Sequence, residues 1–191
     1  MTAVPAGSNT VNPFIVTDDA AGLIDFLIAV FGAVDVPEAR TNDKDGLVLH
    51  SELRVGDSLL TIADRKPDWP FTPALTRVYV DDVEVTLDRA AARGARVVTR
   101  PTGFFGDILA RFQDPSGNLW WVYRHDPAAA GSTWSDSDDA SADAAEDTAE
   151  DTAEDAGEDA GDWTDFTSPE LEYIHETLVD TMRSLKDPRD R

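Results

Sequence analysis

Ala110-Arg111-Phe112-Gln113-Asp114-Pro115-Ser116-Gly117-Asn118-Leu119-Trp120-Trp121-Val122 reads as a strand, a tight turn and a second strand. Proline presets the turn and glycine accepts a positive φ where the chain reverses, so the flanking runs fold back as a hairpin. Upstream, Arg96–Thr99 reads as a strand, and Thr76–Val80 as another. Between them lies a helix capped by Asp81 or Asp82, bearing Val85, Leu87, Ala91 and Ala92 up to Gly94. The first half of the chain follows the same order. Asn12–Thr17 is a strand, and Asp18 or Asp19 caps a helix in which Leu23, Phe26, Leu27 and Val30 recur at helical spacing until Gly32. Leu47–Val55 and Ser58–Ala63 form a hairpin through Gly56-Asp57. The three prolines within Arg65–Pro73 mark a loop between the halves. Strand, helix and two or three strands thus occur twice, an internal duplication of about 60 residues.

Charge divides the chain differently. Residues 1–127 carry 18 acidic and 12 basic side chains, a net of −6. Residues 128–191 carry 20 acidic and 4 basic, a net of −16. Such a balance repels nucleic acid and anionic lipid, so neither is an expected partner. With no cysteine, disulfides and thiolate ligands are excluded. No apolar run approaches the ~20 residues of a membrane span, and Met1-Thr2-Ala3-Val4-Pro5 lacks the basic, apolar pattern of a signal peptide. The expectation is a cytoplasmic protein.

Beyond Asp126 the composition changes. Ala145-Glu146-Asp147-Thr148 recurs as Ala149-Glu150-Asp151-Thr152 and Ala153-Glu154-Asp155-Ala156, then as Gly157-Glu158-Asp159-Ala160. This repeat has no bulky apolar residue to bury and reads as a disordered acidic linker over 127–162. Trp163 and Phe166 then lead to Ser168-Pro169-Glu170, a helix start with Ser as N-cap. Leu171, Ile174, Leu178, Met182 and Leu185 fall on one face of a helix reaching about Lys186, within an amphipathic segment 163–187 and before a short tail 188–191. That face needs a partner surface, which could be its own domain, a twin subunit or another protein engaging helix 169–186.

Asn12-Pro13-Phe14-Ile15-Val16-Thr17-Asp18-Asp19, with Leu23-Ile24-Asp25-Phe26 and Phe31-Gly32-Ala33 behind it, completes a set of motifs with the Asp-Pro-Ser-Gly hairpin. Together they resemble the vicinal oxygen chelate superfamily of glyoxalases, ring-cleaving dioxygenases and bleomycin-resistance proteins, nearest its PhnB-like branch. The resemblance spans residues 10–126 and leaves 1–9 as a flexible N-terminus. It implies an α+β domain of two βαβββ modules, forming an open, cup-shaped mixed β-sheet with helices on the convex face. It also implies a homodimer.

Metal-dependent members of that superfamily place His, Gln or Glu at four inward strand positions. Carried over one at a time, those positions are Asn12, Thr61, Leu75 and Trp121 in this chain. Leu and Trp offer no usable lone pair, and Asn and Thr are weak neutral donors, so the expectation is no metal and no cofactor. His50 and Glu52 lie on one face of their strand if alternation puts Leu47, Leu49, Ser51 and Leu53 on the other. The PhnB-like branch commonly has His and Glu at this spacing, and the pair could ligate a metal or relay a proton. They are the candidate catalytic residues. His125 falls at the domain edge and His175 on the terminal helix.

Arg111 matches an arginine common before the Asp-Pro turn, whereas another frequently basic position holds Ile108. Trp69, Phe71, Phe104, Phe105 and Trp121 are candidates to line an apolar pocket with Asn12, His50, Glu52, Thr61 and Arg111; the twin tryptophans could equally fill the core. Three functions remain open. One is a metal-free binding protein sequestering a small apolar or aromatic ligand, with a cationic one admitted by the net charge. The others are a metal-dependent lyase, isomerase or dioxygenase with a non-standard ligand set, and an interaction protein acting through its terminal helix.

Overall fold

Both halves of the chain are organised by a capped helix laid on a four-stranded sheet. The computed structural model describes residues 4–5, 7–126 and 168–190. In the first half, strand β1 (Phe14–Thr17) leads into helix α1 (Ala20–Phe31), followed by β2 (Val34–Asn42), β3 (Val48–Val55) and β4 (Ser58–Asp64). In the second, β5 (Leu75–Tyr79) and α2 (Val83–Ala92) precede β6 (Arg96–Phe104), β7 (Asp107–Gln113) and β8 (Leu119–His125). The sheets run β1-β4-β3-β2 and β5-β8-β7-β6, each with one parallel pair, β1 with β4 and β5 with β8. The duplication and the α+β class stand as expected.

Local chemistry accounts for the helix bounds. The Asp19 carboxylate accepts from Gly22 N–H, and Gly32 ends α1 at φ 66° with its N–H on the Ile28 carbonyl. Asp82 caps α2 by accepting from Val85 N–H. Asp64 ties the first module together, since one carboxylate oxygen accepts from Ala20 N–H at 2.7 Å and the other from Val48 N–H at 2.6 Å. In the closing hairpin, Gly117 takes φ 92° and donates its N–H to the Asp114 carbonyl.

One apolar core serves both halves. Leu23, Ile24, Phe26, Leu27 and Val30 of α1 join Val83, Leu87 and Ala90 of α2 and the inner faces of both sheets. Phe26 reaches Phe112 and Phe31 reaches Trp120, with ring centroids 5.9 and 5.4 Å apart. Trp120 therefore fills the core, while Trp121 faces the other side of its sheet.

Three features depart from the sequence reading. Strand β2 is absent from it, because Val34–Asn42 is polar, contains Pro37 and lies at a sheet edge. Along β3 the expected alternation fails at its start, where Val48 joins the core and Leu49 is exposed. A register shift causes this: Thr41 pairs with His50 and Asn42 with Val48, so Leu49 is bulged out. The third departure concerns Gly7 and Asn9. Arg54 donates to the Gly7 carbonyl, and the Asn9 side chain bridges Asp57 and Leu59, so the expected loose N-terminus is held to the first hairpin from Gly7 onward.

The terminal helix α3 (Pro169–Ser184) starts where expected, with Ser168 as cap, and packs on β6 of its own domain. Its docked face keeps most of the anticipated apolar stripe, with Ile174 buried and Leu171, Leu178 and Leu185 partly buried, but departs from it at one end. Ile174 and Thr181 are buried, Thr177 bonds to the sheet, and Met182 turns to solvent. Polar groups on the sheet draw the helix round: Arg111 and the Arg100 N–H donate to it, and the Thr99 hydroxyl meets Thr177. The acidic linker with Trp163 and Phe166 lies outside the described residues.

Candidate functional site

Pairing across each sheet defines which side chains share the face turned away from the helices. On the first sheet, Phe14, Thr61, Glu52 and Val36 form one row. His50 stands next to Glu52, with Nε2 3.5 Å from its carboxylate, and both side chains are partly exposed. Thr61 faces this pair's side of the sheet, as the sequence suggested. Asn12 does not. It precedes β1, and its side chain accepts from Asn9 N–H and donates to the Asn9 carbonyl.

On the second sheet, the corresponding row is Thr99, Arg111, Trp121 and Arg77. Arg111 is buried to 4% exposure and its guanidinium lies over the Trp121 ring, 5.2 Å from the centroid. Nη1 donates to Thr99 Oγ1 at 3.2 Å and to the Ile174 carbonyl of α3 at 2.7 Å, while Nε has no hydrogen-bond partner. Burial pushes the guanidinium below its ordinary value, with only the Tyr123 hydroxyl acting against it. Arg77 lies over Tyr123 at 4.9 Å and donates to the Tyr79 hydroxyl at 3.2 Å.

α3 rests on this face. Thr99 Oγ1 and Thr177 Oγ1 are 2.8 Å apart, and the Tyr173 hydroxyl accepts from Arg100 N–H at 3.0 Å. Beyond the helix, Asp187 receives both terminal nitrogens of Arg65, and Arg189 donates to the carbonyls of Arg65 and Lys66. Arg65 Nε donates to Asp18 of the first module. Neither this anchorage nor the role of Arg65 is visible in the sequence, because the partners lie far apart along the chain.

The remaining nominated residues are dispersed. Leu75 sits on the edge strand beside Leu119, more than half exposed. Phe71 lies under the Arg65 guanidinium and against the Gly117 turn, and Trp69 is exposed on the same loop. Phe104 ends β6, and Phe105 occupies the turn after it at φ 46°. His125 pairs with Asp107 at 2.6 Å. No hydrogen bond, ion pair or ring contact joins His50, Glu52 or Thr61 to Arg111 or Trp121. A groove of about 650 Å³ lies between the halves, lined among others by Phe31, Leu60, Val78 and Arg89, and none of the nominated residues lines it. It is lined by the end of α1, the β3–β4 turn, strand β5 and the start of α2, which lie far apart along the chain and leave no sequence signal.

The motif order, the duplicated module and the Asp-Pro-Ser-Gly hairpin agree with the family comparison. The Glyoxalase/Bleomycin resistance protein/Dioxygenase superfamily model matches residues 9–122. The chain belongs to this superfamily. The uncharacterized protein Mb0911c of Mycobacterium bovis is 31% identical over 121 residues, covering 57% of this chain and 78% of that protein. Among solved structures, protein PA1353 from Pseudomonas aeruginosa is similar with a TM-score of 0.51 at 17% identity, covering 62% of this chain and 99% of that one. TioX from Micromonospora sp. ML1 is similar at 21% identity and a TM-score of 0.48, covering 61% and 95%.

The residues at the four positions that the resemblance assigns to a divalent metal do not suit one. Leu75 and Trp121 cannot donate, Thr61 is neutral, and Asn12 is spent on its own turn. Among the described residues no group of three or more His, Cys, Asp or Glu side chains could hold an ion. Nor is any described helix long and apolar enough to cross a membrane.

Proposed function

We propose that this chain is a metal-free small-molecule binding protein of the superfamily, holding an apolar or aromatic ligand against the open sheet faces. The observation that carries this reading is the side-chain set at the four metal positions, above all Leu75 and Trp121, which replace lone pairs with apolar surface. Aromatic and aliphatic groups on the same faces support it, with Phe14, Leu75 and Tyr79 each more than half exposed. Apolar exposure on the edge strands, at Phe14, Leu75 and Tyr79, also supports a homodimer, in which a second copy packs on those edges. We place the protein in the cytoplasm, and in the PhnB-like branch on the strength of His50 and Glu52.

The test is metal content and ligand binding on the full chain. Protein exposed to Zn²⁺, Mn²⁺, Fe²⁺ and Ni²⁺, then desalted, is expected to hold well under one ion per dimer by elemental mass spectrometry. A thermal-shift library is expected to return aromatic ligands. One equivalent of metal, lost in His50→Ala, overturns the reading in favour of an enzyme. The closeness of His50 to Glu52 is the observation behind that second reading, which needs further ligands from a twin subunit.

A further inference from the structure

Arg111 is a buried cation without a counter-ion. Among the described residues no carboxylate touches it, and its partners are a threonine hydroxyl and a carbonyl inside α3. That carbonyl already accepts within the helix and is also contacted by Thr177 Oγ1 at 3.2 Å. A guanidinium fork is built to grip a carboxylate by two parallel bonds, and one unmet buried N–H is costly. The charged residues Glu170, Glu172, Glu176 and Asp180 of α3 are all exposed and offer it nothing.

We propose that Arg111, Thr99 and Trp121 form a binding site for an aromatic carboxylate, and that α3 is its built-in competitor. Two parallel bonds from Nη1 and Nη2 hold the carboxylate in the place now filled by the Ile174 carbonyl. The ring of the ligand lies along Trp121 and Tyr123. This rests on the preceding reading of the open faces as ligand sites and sharpens it: the chain's net charge admitted a cation, but the local row carries Arg77 and Arg111.

α3 is suited to leave. The main apolar cluster contains no residue of α3, whose own buried side chains are Ile174 and Thr181, and three hydrogen bonds join the helix to the sheet: Thr99–Thr177, Tyr173–Arg100 and Arg111–Ile174. The Asp187–Arg65 pair then fastens its end. Releasing that pair is expected to raise ligand affinity, since a competitor held less often blocks the site less.

Full-length protein is titrated with 2-naphthoate, benzoate and phenylacetate, each against its neutral amide, while the Arg111 Nε–H resonance is followed by NMR. The acids are expected to bind and the amides not, with about tenfold tighter binding in Asp187→Asn. Arg111→Gln should abolish binding and Arg111→Lys retain part of it, both melting cooperatively. Thr177→Val removes the Thr99–Thr177 hydrogen bond from the helix side and leaves Arg111, Thr99 and Trp121 in place, so it should also tighten 2-naphthoate binding.

Binding no tighter in Asp187→Asn and Thr177→Val than in the unaltered chain would overturn the competition. If no acid binds Asp187→Asn, or if Arg111→Gln binds like the unaltered chain, the site itself is overturned. Library ligands indifferent to Arg111→Gln would leave the general binding function standing while this inference fails; no ligand of any kind would remove both.

Discussion

Arg65 places both terminal guanidinium nitrogens on Asp187, 122 residues further along the chain, at 2.7 and 2.5 Å. With Nε on Asp18, the same side chain touches the first module, the loop between modules and the C-terminal segment. The Arg65 hydrogen bonds hold the Asp187 carboxyl well below its ordinary value, at about 2. In the released segment it binds a proton near 3.8, and in the docked one only near 2. The docked state is therefore favoured above about pH 4 and loses that advantage as pH falls towards 2. Methyl NMR of Ile174 should show α3 leaving across this window, and Asp187→Asn should flatten the transition. An unchanged midpoint in that variant would refute the assignment.

Asp114 has the opposite sign. It is buried, and accepts from Asn118 N–H, Asn118 Nδ2 and Trp120 Nε1, each at 2.9 Å. Burial nevertheless pushes its carboxyl up, so this group favours the folded state at low pH and loses that contribution as pH rises through its raised value. Asp114→Ala leaves a buried indole N–H unmet and opens the turn. A loss of about 2–4 kcal/mol at neutral pH is expected by urea denaturation.

Trp120 is fully buried between Phe31 and Phe112. Trp120→Ala should cost about 3–5 kcal/mol, because the cavity sits where the two modules share one core. Trp121→Ala should cost the domain less, and act instead on the Arg111 environment. Equal destabilisation by the two substitutions would contradict the division of the twin tryptophans between faces.

His50 is partly exposed, and among the described residues its ion-pair contact is with Glu52. His50→Ala should leave unfolding free energy within about 0.5 kcal/mol of the unaltered chain. A larger loss by chemical denaturation would mean that this face is buried, most simply by a second copy.

Much of this architecture is written locally. Asp19 and Asp82 cap their helices, Gly32 stops α1, and Pro115 with Gly117 turns the last hairpin, all within a few residues of where they act. What could not be read depends on distant partners. Strand β2 is held by its neighbour rather than by its own alternation, and the bulge at Leu49 is a property of the β2–β3 pair. On α3, hydrophobic spacing nominated both Ile174 and Met182; Ile174 does face the sheet, but Met182 is exposed, and Thr177, which the spacing passed over, bonds to Thr99. The candidate site was legible as residue types, with Arg111 and Trp121 on one face and His50 and Glu52 on another. That α3 seals one of those faces was not legible.

The seal and the sheet belong to one covalent chain, joined through residues 127–167. Dilution therefore cannot open the Arg111 face, as it would separate a bound partner. The threshold a ligand must overcome is the same at every protein concentration, so this chain would respond to the amount of ligand alone.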